Sequence, residues 1–204
     1  MPFSRFLFST LLAFAFNLLL SAEHSNFSLT DEVRAVYQAI VRIEVVSEKG
    51  SGGRMMKARS TGSGVIISKD GLVLTNHHVA GKASRLTCRL HNGDELMADL
   101  LGADAMTDLA LLRLRLNENG SNSEPLKIAE FGNSHKVKVG DTCFAMGSPA
   151  GLSQSVTKGI ISNVALISAG SQSFRLDGEN VGELVRWLGH DAVIYPGNSG
   201  GPLV

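Results

Sequence analysis

The first regular pattern in the chain is helical. Val33, Val36, Tyr37 and Ile40 recur at i, i+3, i+4 and i+7 behind Thr30-Asp31-Glu32, a capping residue followed by two acids. A short packing helix is predicted there. From Val41 the period changes to two, and strands are predicted at 41–46, 63–68, 72–76, 85–90, 95–101 and 109–116. Within 85–90, Leu86, Cys88 and Leu90 alternate with Arg85, Thr87 and Arg89. Within 109–116, Ala110, Leu112, Leu114 and Leu116 share a face opposite Arg113 and Arg115. Strands of this kind bury one side and wet the other, and six of them are enough for a small barrel. The Asp-Gly pair in Lys69-Asp70-Gly71 and the Asn-Gly pair in His91-Asn92-Gly93-Asp94 predict hairpin turns, because such turns need positive φ. Ser47 to Ser60 has no periodicity and reads as a long exposed loop. Asn117 to Glu124 is irregular and separates a second group of strands, predicted at 141–146, 156–166, 191–195 and 201–204. The chain stops at Val204 inside an apolar run, which predicts a fragment, since a bare strand end leaves backbone groups unpaired.

Residues 1–22 stand outside this pattern. Arg5 precedes an apolar run from Phe6 to Leu20 that closes on Ser21 and Ala22, as in a secretory signal. As a helix that run would span about 22 Å, short of the ~30 Å of a bilayer core. Cleavage after Ala22 is therefore expected, with an uncleaved membrane tether as the alternative. The organisation that follows is 1–22 as signal peptide, 23–40 as an N-terminal segment with a short helix, 41–124 as a first β unit and 125–204 as a second.

Composition removes several function classes. Of 204 residues, 19 are Lys or Arg and 19 are Asp or Glu, so the basic footprint of a nucleic-acid binder is missing. Nine Phe, two Tyr and one Trp offer little for base stacking. The 22 glycines favour tight turns and close backbone approaches over long helices. Cys88 and Cys143 sit in apolar segments and read as two buried thiols rather than a disulfide framework. The His residues are scattered, apart from the adjacent His77 and His78, so no metal-ligand spacing is present and no cofactor is predicted.

Chemistry is concentrated in three places. Pro196-Gly197-Asn198-Ser199-Gly200-Gly201-Pro202 surrounds one Ser with glycines, which suits a nucleophile whose neighbouring N–H groups point at an oxyanion. Gly197 to Gly201 also fits G-x-S-x-G, the nucleophile elbow of α/β-hydrolases, but that elbow needs a following helix and a later Asp and His, whereas Pro202 follows here and the acid and base candidates lie upstream. The order His, Asp, Ser is that of chymotrypsin-like proteases. Thr75-Asn76-His77-His78-Val79 lies at a strand end, and Asp108 stands before the apolar run Leu109-Ala110-Leu111-Leu112. Taken singly, a strand-end His, a strand-start Asp and a Gly-flanked Ser are each ordinary structural features.

Together these segments resemble the HtrA (Deg) family of trypsin-like serine proteases over about residues 33–204. The resemblance is carried by Gly62-Ser63-Gly64-Val65-Ile66-Ile67, Thr75-Asn76-His77-His78-Val79 and Thr107-Asp108-Leu109-Ala110-Leu111-Leu112. It continues through Val139-Gly140-Asp141, Met146-Gly147-Ser148-Pro149-Ala150-Gly151-Leu152, Val156-Thr157-Lys158-Gly159-Ile160-Ile161-Ser162 and Gly197-Asn198-Ser199-Gly200-Gly201-Pro202-Leu203. The family implies an all-β fold of two six-stranded antiparallel barrels, the second incomplete in this chain. It also implies His78 as base, Asp108 as the residue that orients it and Ser199 as nucleophile, with the N–H groups of Gly197 and Ser199 as oxyanion hole. His77 falls on a variable, dispensable position. Val193, six residues before Ser199, matches the base of the specificity pocket, with Ile194 beside it, and implies small or medium aliphatic side chains before the cut.

The function so implied is a serine endopeptidase acting through an acyl-enzyme on misfolded or unfolded exported proteins, in the periplasm or outside the cell. A homo-oligomer, trimeric by resemblance, goes with it. The alternative is a protease-fold module that binds unfolded chains without cutting them. Three features depart from a typical trypsin or HtrA protein. Asn198 replaces the Asp that digestive trypsins use in zymogen activation. Ser168 to His190 is longer than the family's usual stretch and reads equally as a gating loop or a solvated insertion. A PDZ domain, which many family members carry, is missing from this sequence.

Overall fold

The computed structural model describes residues 30–51, 54–116, 124–148, 154–166, 174–176, 179–181 and 185–204. The predicted signal, 1–22, lies outside the described residues. Helix α1 (Asp31–Ala39) begins where its cap predicts: Thr30 is extended, and its Oγ1 accepts the Val33 N–H at 3.4 Å. The apolar stripe of α1 packs Val33 with Ile40 and Met146, and Val36, Tyr37, Phe144 and Val156 lie around that cluster.

Six strands then close a barrel. They are β1 (Ile40–Ser51), β2 (Arg54–Ile66), β3 (Leu72–Thr75), β4 (Arg85–Arg89), β5 (Glu95–Asp104) and β6 (Leu109–Leu114), in the order β1-β2-β3-β6-β5-β4 with every pair antiparallel. Closure leaves no unpaired edge. The alternation read in the sequence is what fills the interior: Ile43, Val73, Cys88, Leu96, Ala110 and Leu112 converge in one core, while their neighbours along each strand are half-buried or exposed. Gly71 and Gly93 take φ of 85° and 92° at the two predicted turns. A short helix, α2 (His77–Ala80), follows β3 directly.

One expectation fails in the barrel. Residues 47–51 and 54–60 are not loop but strand: β1 and β2 pair without interruption from Ile40↔Val65 out to Ser51↔Arg54, forming an arm that extends past the barrel. Residues 54–60 are exposed throughout, so neither face is buried and no hydrophobic period marks the strand. Elsewhere, a register shift between Leu100 and Gly102 bends β5, whose last residues run into the turn before β6.

The second unit is incomplete. β7 (Thr142–Gly147) pairs with β8 (Ser155–Leu166), and β8 with β11 (Trp187–His190), giving a three-stranded sheet over a small core of Cys143, Ala145, Ile161 and Ala192. β9 (Phe174–Leu176) and β10 (Glu179–Val181) form a separate antiparallel pair within the stretch that departs from the family pattern. The expected strand at 191–195 is not one. The strand lies at 187–190, and the next residues leave the ladder for side-chain bonds: the Asp191 carboxylate accepts the Ile160 N–H of β8 at 2.7 Å, and the Val193 carbonyl accepts the Thr157 hydroxyl at 2.7 Å. The expected strand at 201–204 reduces to a bridge between Leu203 and Ala145, flanked by paired bonds between Phe144 and Val204. Both cysteines are buried and free. Among the described residues no helix is long and apolar enough to cross a membrane.

Candidate active site

Three chain segments meet at one end of the barrel. β3 ends at Thr75, Asn76 caps α2, and His78 is carried on the first turn of α2. Opposite, the turn between β5 and β6 is shaped by Asp104, whose carboxylate accepts the Thr107 hydroxyl at 2.8 Å and the Met106 N–H at 3.0 Å. Those two bonds, the hydroxyl first, hold Asp104 below the ordinary carboxylate range. The turn delivers Asp108 at φ 56°, a left-handed conformation that is uncommon for a residue with a side chain. What holds it there is its own carbonyl, which accepts the His77 N–H at 3.0 Å and Asn76 Nδ2 at 2.9 Å.

The carboxylate of Asp108 is thereby aimed at His78. It is 4% exposed, and it meets His78 Nδ1 at 2.8 Å through Oδ2 and 3.1 Å through Oδ1, while Oδ1 also accepts the His78 backbone N–H at 3.0 Å. An ionised carboxylate only accepts hydrogen bonds, so the imidazole must carry its hydrogen on Nδ1. That leaves the Nε2 lone pair free to take a proton, the arrangement a general base needs. His77, by contrast, turns its ring back over α2 against Gly81.

The Ser199 segment is seated on the same end of the barrel through backbone contacts. The Ser63 N–H donates to the Ser199 carbonyl at 2.8 Å, and the Ser63 hydroxyl donates to the Gly197 carbonyl at 2.6 Å. Gly200 has φ 84° and presses against the Ser63 carbonyl, Thr75 Oγ1 and the Asn76 N–H, so closely that a Cβ would not fit. Ser199 thus abuts the residues that lead directly into His78. Within the segment, the Asn198 N–H donates to the Tyr195 carbonyl at 3.0 Å and the Gly201 N–H to the Asn198 carbonyl at 2.8 Å. Among the described residues, the N–H groups of Gly197 and Ser199 have no intramolecular acceptor. Val193 and Ile194 stand just upstream with apolar side chains 52% and 58% exposed.

Asn198 explains its own identity. Its side chain is buried at 6% exposure against Gly147, and among the described residues neither amide atom finds a partner. An ionised Asp there would be a buried charge with no ion-pair partner among the described residues, several kcal/mol worse than a neutral amide.

Four residues that shape the site escaped the sequence reading as individuals: Ser63, Thr75, Asn76 and Asp104. The signal available for Ser63 was its pair of flanking glycines, since a Cβ on Gly62 would collide with Val79 and crowd the Ser199 carbonyl. No group of three or more His, Cys, Asp or Glu among the described residues could hold a metal ion.

Comparison with known proteins agrees with this architecture. The family model for the trypsin-like peptidase domain matches residues 62–204. A DegP-like periplasmic serine endoprotease of Pseudomonas fulva strain 12-X is 42% identical over 154 residues, covering 76% of this chain and 28% of the relative. Its counterpart in Pseudomonas putida strain GB-1 is 44% identical over 152 residues, covering 74% of this chain and 28% of the relative. The chain therefore spans little more than a quarter of the length of these relatives. Among solved structures, the HtrA-type protease AlgW with a tripeptide superposes with a TM-score of 0.68 at 32% identity, covering 87% of this chain and 50% of that one. AlgW with a decapeptide gives 0.65 at 31% identity, covering 87% and 55%. The barrel, the seating of the Ser199 segment and these likenesses agree, and the chain belongs to the trypsin-like peptidase family, on its HtrA/Deg branch.

Proposed function

We propose that this chain carries the catalytic unit of a serine endopeptidase in which His78, Asp108 and Ser199 form the triad. The observation that carries the reading is the buried Asp108 carboxylate bonded to His78 Nδ1, with the Ser199 backbone clamped beside the strand that presents His78. His78 takes the Ser199 proton as Ser199 attacks the peptide carbonyl, then delivers that proton to the leaving amine; water hydrolyses the acyl-enzyme by the reverse use of the same groups. Asp108 holds the tautomer and offsets the imidazolium charge that develops. The free N–H groups of Gly197 and Ser199 receive the oxyanion, each donor being worth about 10² to 10³ in rate.

Polypeptides are the substrates in this reading, as the peptides held by the AlgW structures suggest, and unfolded exported proteins are the natural class. Val193 and Ile194 favour small or medium aliphatic side chains before the cut. The names of the curated relatives support a periplasmic location, with residues 1–22 as export signal or, if retained, as tether. The reading includes the division into 41–124 with His78 and Asp108 and 125–204 with Ser199, and a homo-oligomer that is trimeric by family resemblance. The test is turnover of a dye-labelled unfolded protein by the full-length protein and by its Ser199→Ala variant. Hydrolysis lost in the variant is expected; hydrolysis that survives it would overturn the assignment.

A further inference from the structure

We propose that Ser63 is a positioning residue of this site: its buried side chain and backbone together fix the two peptide planes on either side of the one that carries the Ser199 N–H. The inference rests on the triad reading above and adds a residue to it.

Ser63 is 0% exposed, on the face of β2 that meets the second unit. Every polar atom it owns is used. Its hydroxyl donates to the Gly197 carbonyl at 2.6 Å and accepts the Ser148 N–H at 2.8 Å. Its N–H donates to the Ser199 carbonyl at 2.8 Å, and its carbonyl accepts the Thr75 hydroxyl at 2.6 Å. One residue therefore touches the nucleophile segment twice, the end of β7 once and the strand leading to His78 once.

The consequence lies in the planarity of the peptide unit, which points each C=O opposite to the N–H that follows it. Three consecutive carbonyls, those of Gly197, Asn198 and Ser199, are held. The middle one is held inside the segment by the Gly201 N–H, and the outer two are held by Ser63. Fixing the Asn198 carbonyl sends the Ser199 N–H to the opposite side, and the outer anchors stop the flanking planes from rotating. Rotation is the natural failure here, because Gly197, Gly200 and Gly201 surround the nucleophile and glycine crosses conformational space cheaply; Gly197 itself has φ 103°. Within this network the hydroxyl of Ser63 is what constrains the Gly197 carbonyl.

The experiment compares Ser63→Ala with the wild type in the full-length protein. Two readouts are taken: the rate of acylation of Ser199 by a small fluorophosphonate, and kcat and KM on an aliphatic peptide substrate. Loosening the segment by about 1 Å costs about 10² in rate, so acylation rate and kcat are expected to fall together by about 10- to 10²-fold with KM nearly unchanged. Amide exchange at Ser148, whose N–H loses its acceptor, is expected to accelerate. Val45→Ala, a barrel-core truncation on β1 that does not touch Ser63, serves as the reference for a general loss of stability and keeps the wild-type rate. If Ser63→Ala does not fold, Ser63→Cys, nearly isosteric with weaker hydrogen bonding, is judged by the same criteria. A Ser63 variant that acylates at the rate of Val45→Ala, in an enzyme whose wild type acylates normally, overturns the positioning role and leaves the triad reading intact. A wild type that does not acylate at all overturns both.

Discussion

Gly200→Ala is the substitution for which the structure gives the sharpest magnitude. Gly200 sits at φ 84°, and a Cβ there would come well inside 3.0 Å of both the Ser63 carbonyl and Thr75 Oγ1, with the Asn76 N–H at 3.2 Å. The left-handed conformation alone costs an Ala about 1–2 kcal/mol. The collision adds about 1–3 kcal/mol, because one neighbour is backbone of β2 inside a closed barrel and cannot rotate away. At about 2–5 kcal/mol in total, and about 2–4 °C per kcal/mol for a chain of this size, thermal unfolding should shift down by roughly 4–20 °C. The alternative to unfolding is retreat of the Ser199 segment by about 1 Å, enough to cost about 10² in rate. Differential scanning calorimetry and fluorophosphonate acylation of the same sample measure the two responses. A Gly200→Ala protein with wild-type midpoint and wild-type acylation rate would show that the Ser199 segment is not seated on Thr75 and Ser63.

Further outcomes follow from the same geometry. Asp108→Asn should keep the fold and lower the acylation rate by about 10⁴, since an amide can donate to Nδ1 and force the hydrogen onto Nε2; an unchanged rate would remove Asp108 from the site. Burial pushes the Cys88 thiol up to about 12, well above the ordinary thiol range, so the folded protein holds that proton more tightly than the unfolded chain. Its contribution is therefore intact below pH 9.0 and is lost as pH rises toward 12, and native Cys88 should resist alkylation at pH 8 that labels it quickly in denaturant. Fast native labelling would contradict its place in the barrel core. Gln154→Ala should destabilise the protein by about 1–3 kcal/mol, because Gln154 Nε2 donates to the buried Ile40 carbonyl at 2.9 Å and its loss leaves that oxygen without this donor; an unchanged unfolding midpoint would show that this bond does not help tie the start of β8 to the start of β1.

How much of this was legible in the sequence depends on whether an element buries exactly one face, or two, or none. β4 and β6 were readable because Leu86 and Cys88, or Ala110, Leu112 and Leu114, each alternate with wet positions. The arm made by the outer halves of β1 and β2 was not, because Met55, Met56 and their neighbours are wet on both sides and only backbone pairing defines the strand. The run Val193-Ile194-Tyr195 misled in the opposite sense: it is apolar and half exposed, and its Val193 carbonyl is held by the Thr157 hydroxyl instead of a strand partner. At the site, His78, Asp108 and Ser199 were each ordinary when taken singly, and only their motifs together, in family order, singled them out as candidates. Ser63 was not visible as an anchor, because the partners of its hydroxyl lie 85 and 134 residues away and are backbone atoms, which leave no mark on residue identity. Asp108 shows the two readings of a strand-start acid to be compatible: it is a turn residue, at φ 56°, and the turn is what aims its carboxylate.

The central claim, that Ser199 is a nucleophile activated by His78, is tested most directly by the mass and location of a covalent adduct. The full-length protein, its Ser199→Ala variant and its His78→Ala variant are each treated with a fluorophosphonate, and the labelled peptide is mapped. The account predicts a single adduct on Ser199 in the wild type, none in Ser199→Ala, and an acylation rate in His78→Ala lower by several powers of ten. An adduct that persists in Ser199→Ala, or a Ser199 that reacts equally fast without His78, would contradict it.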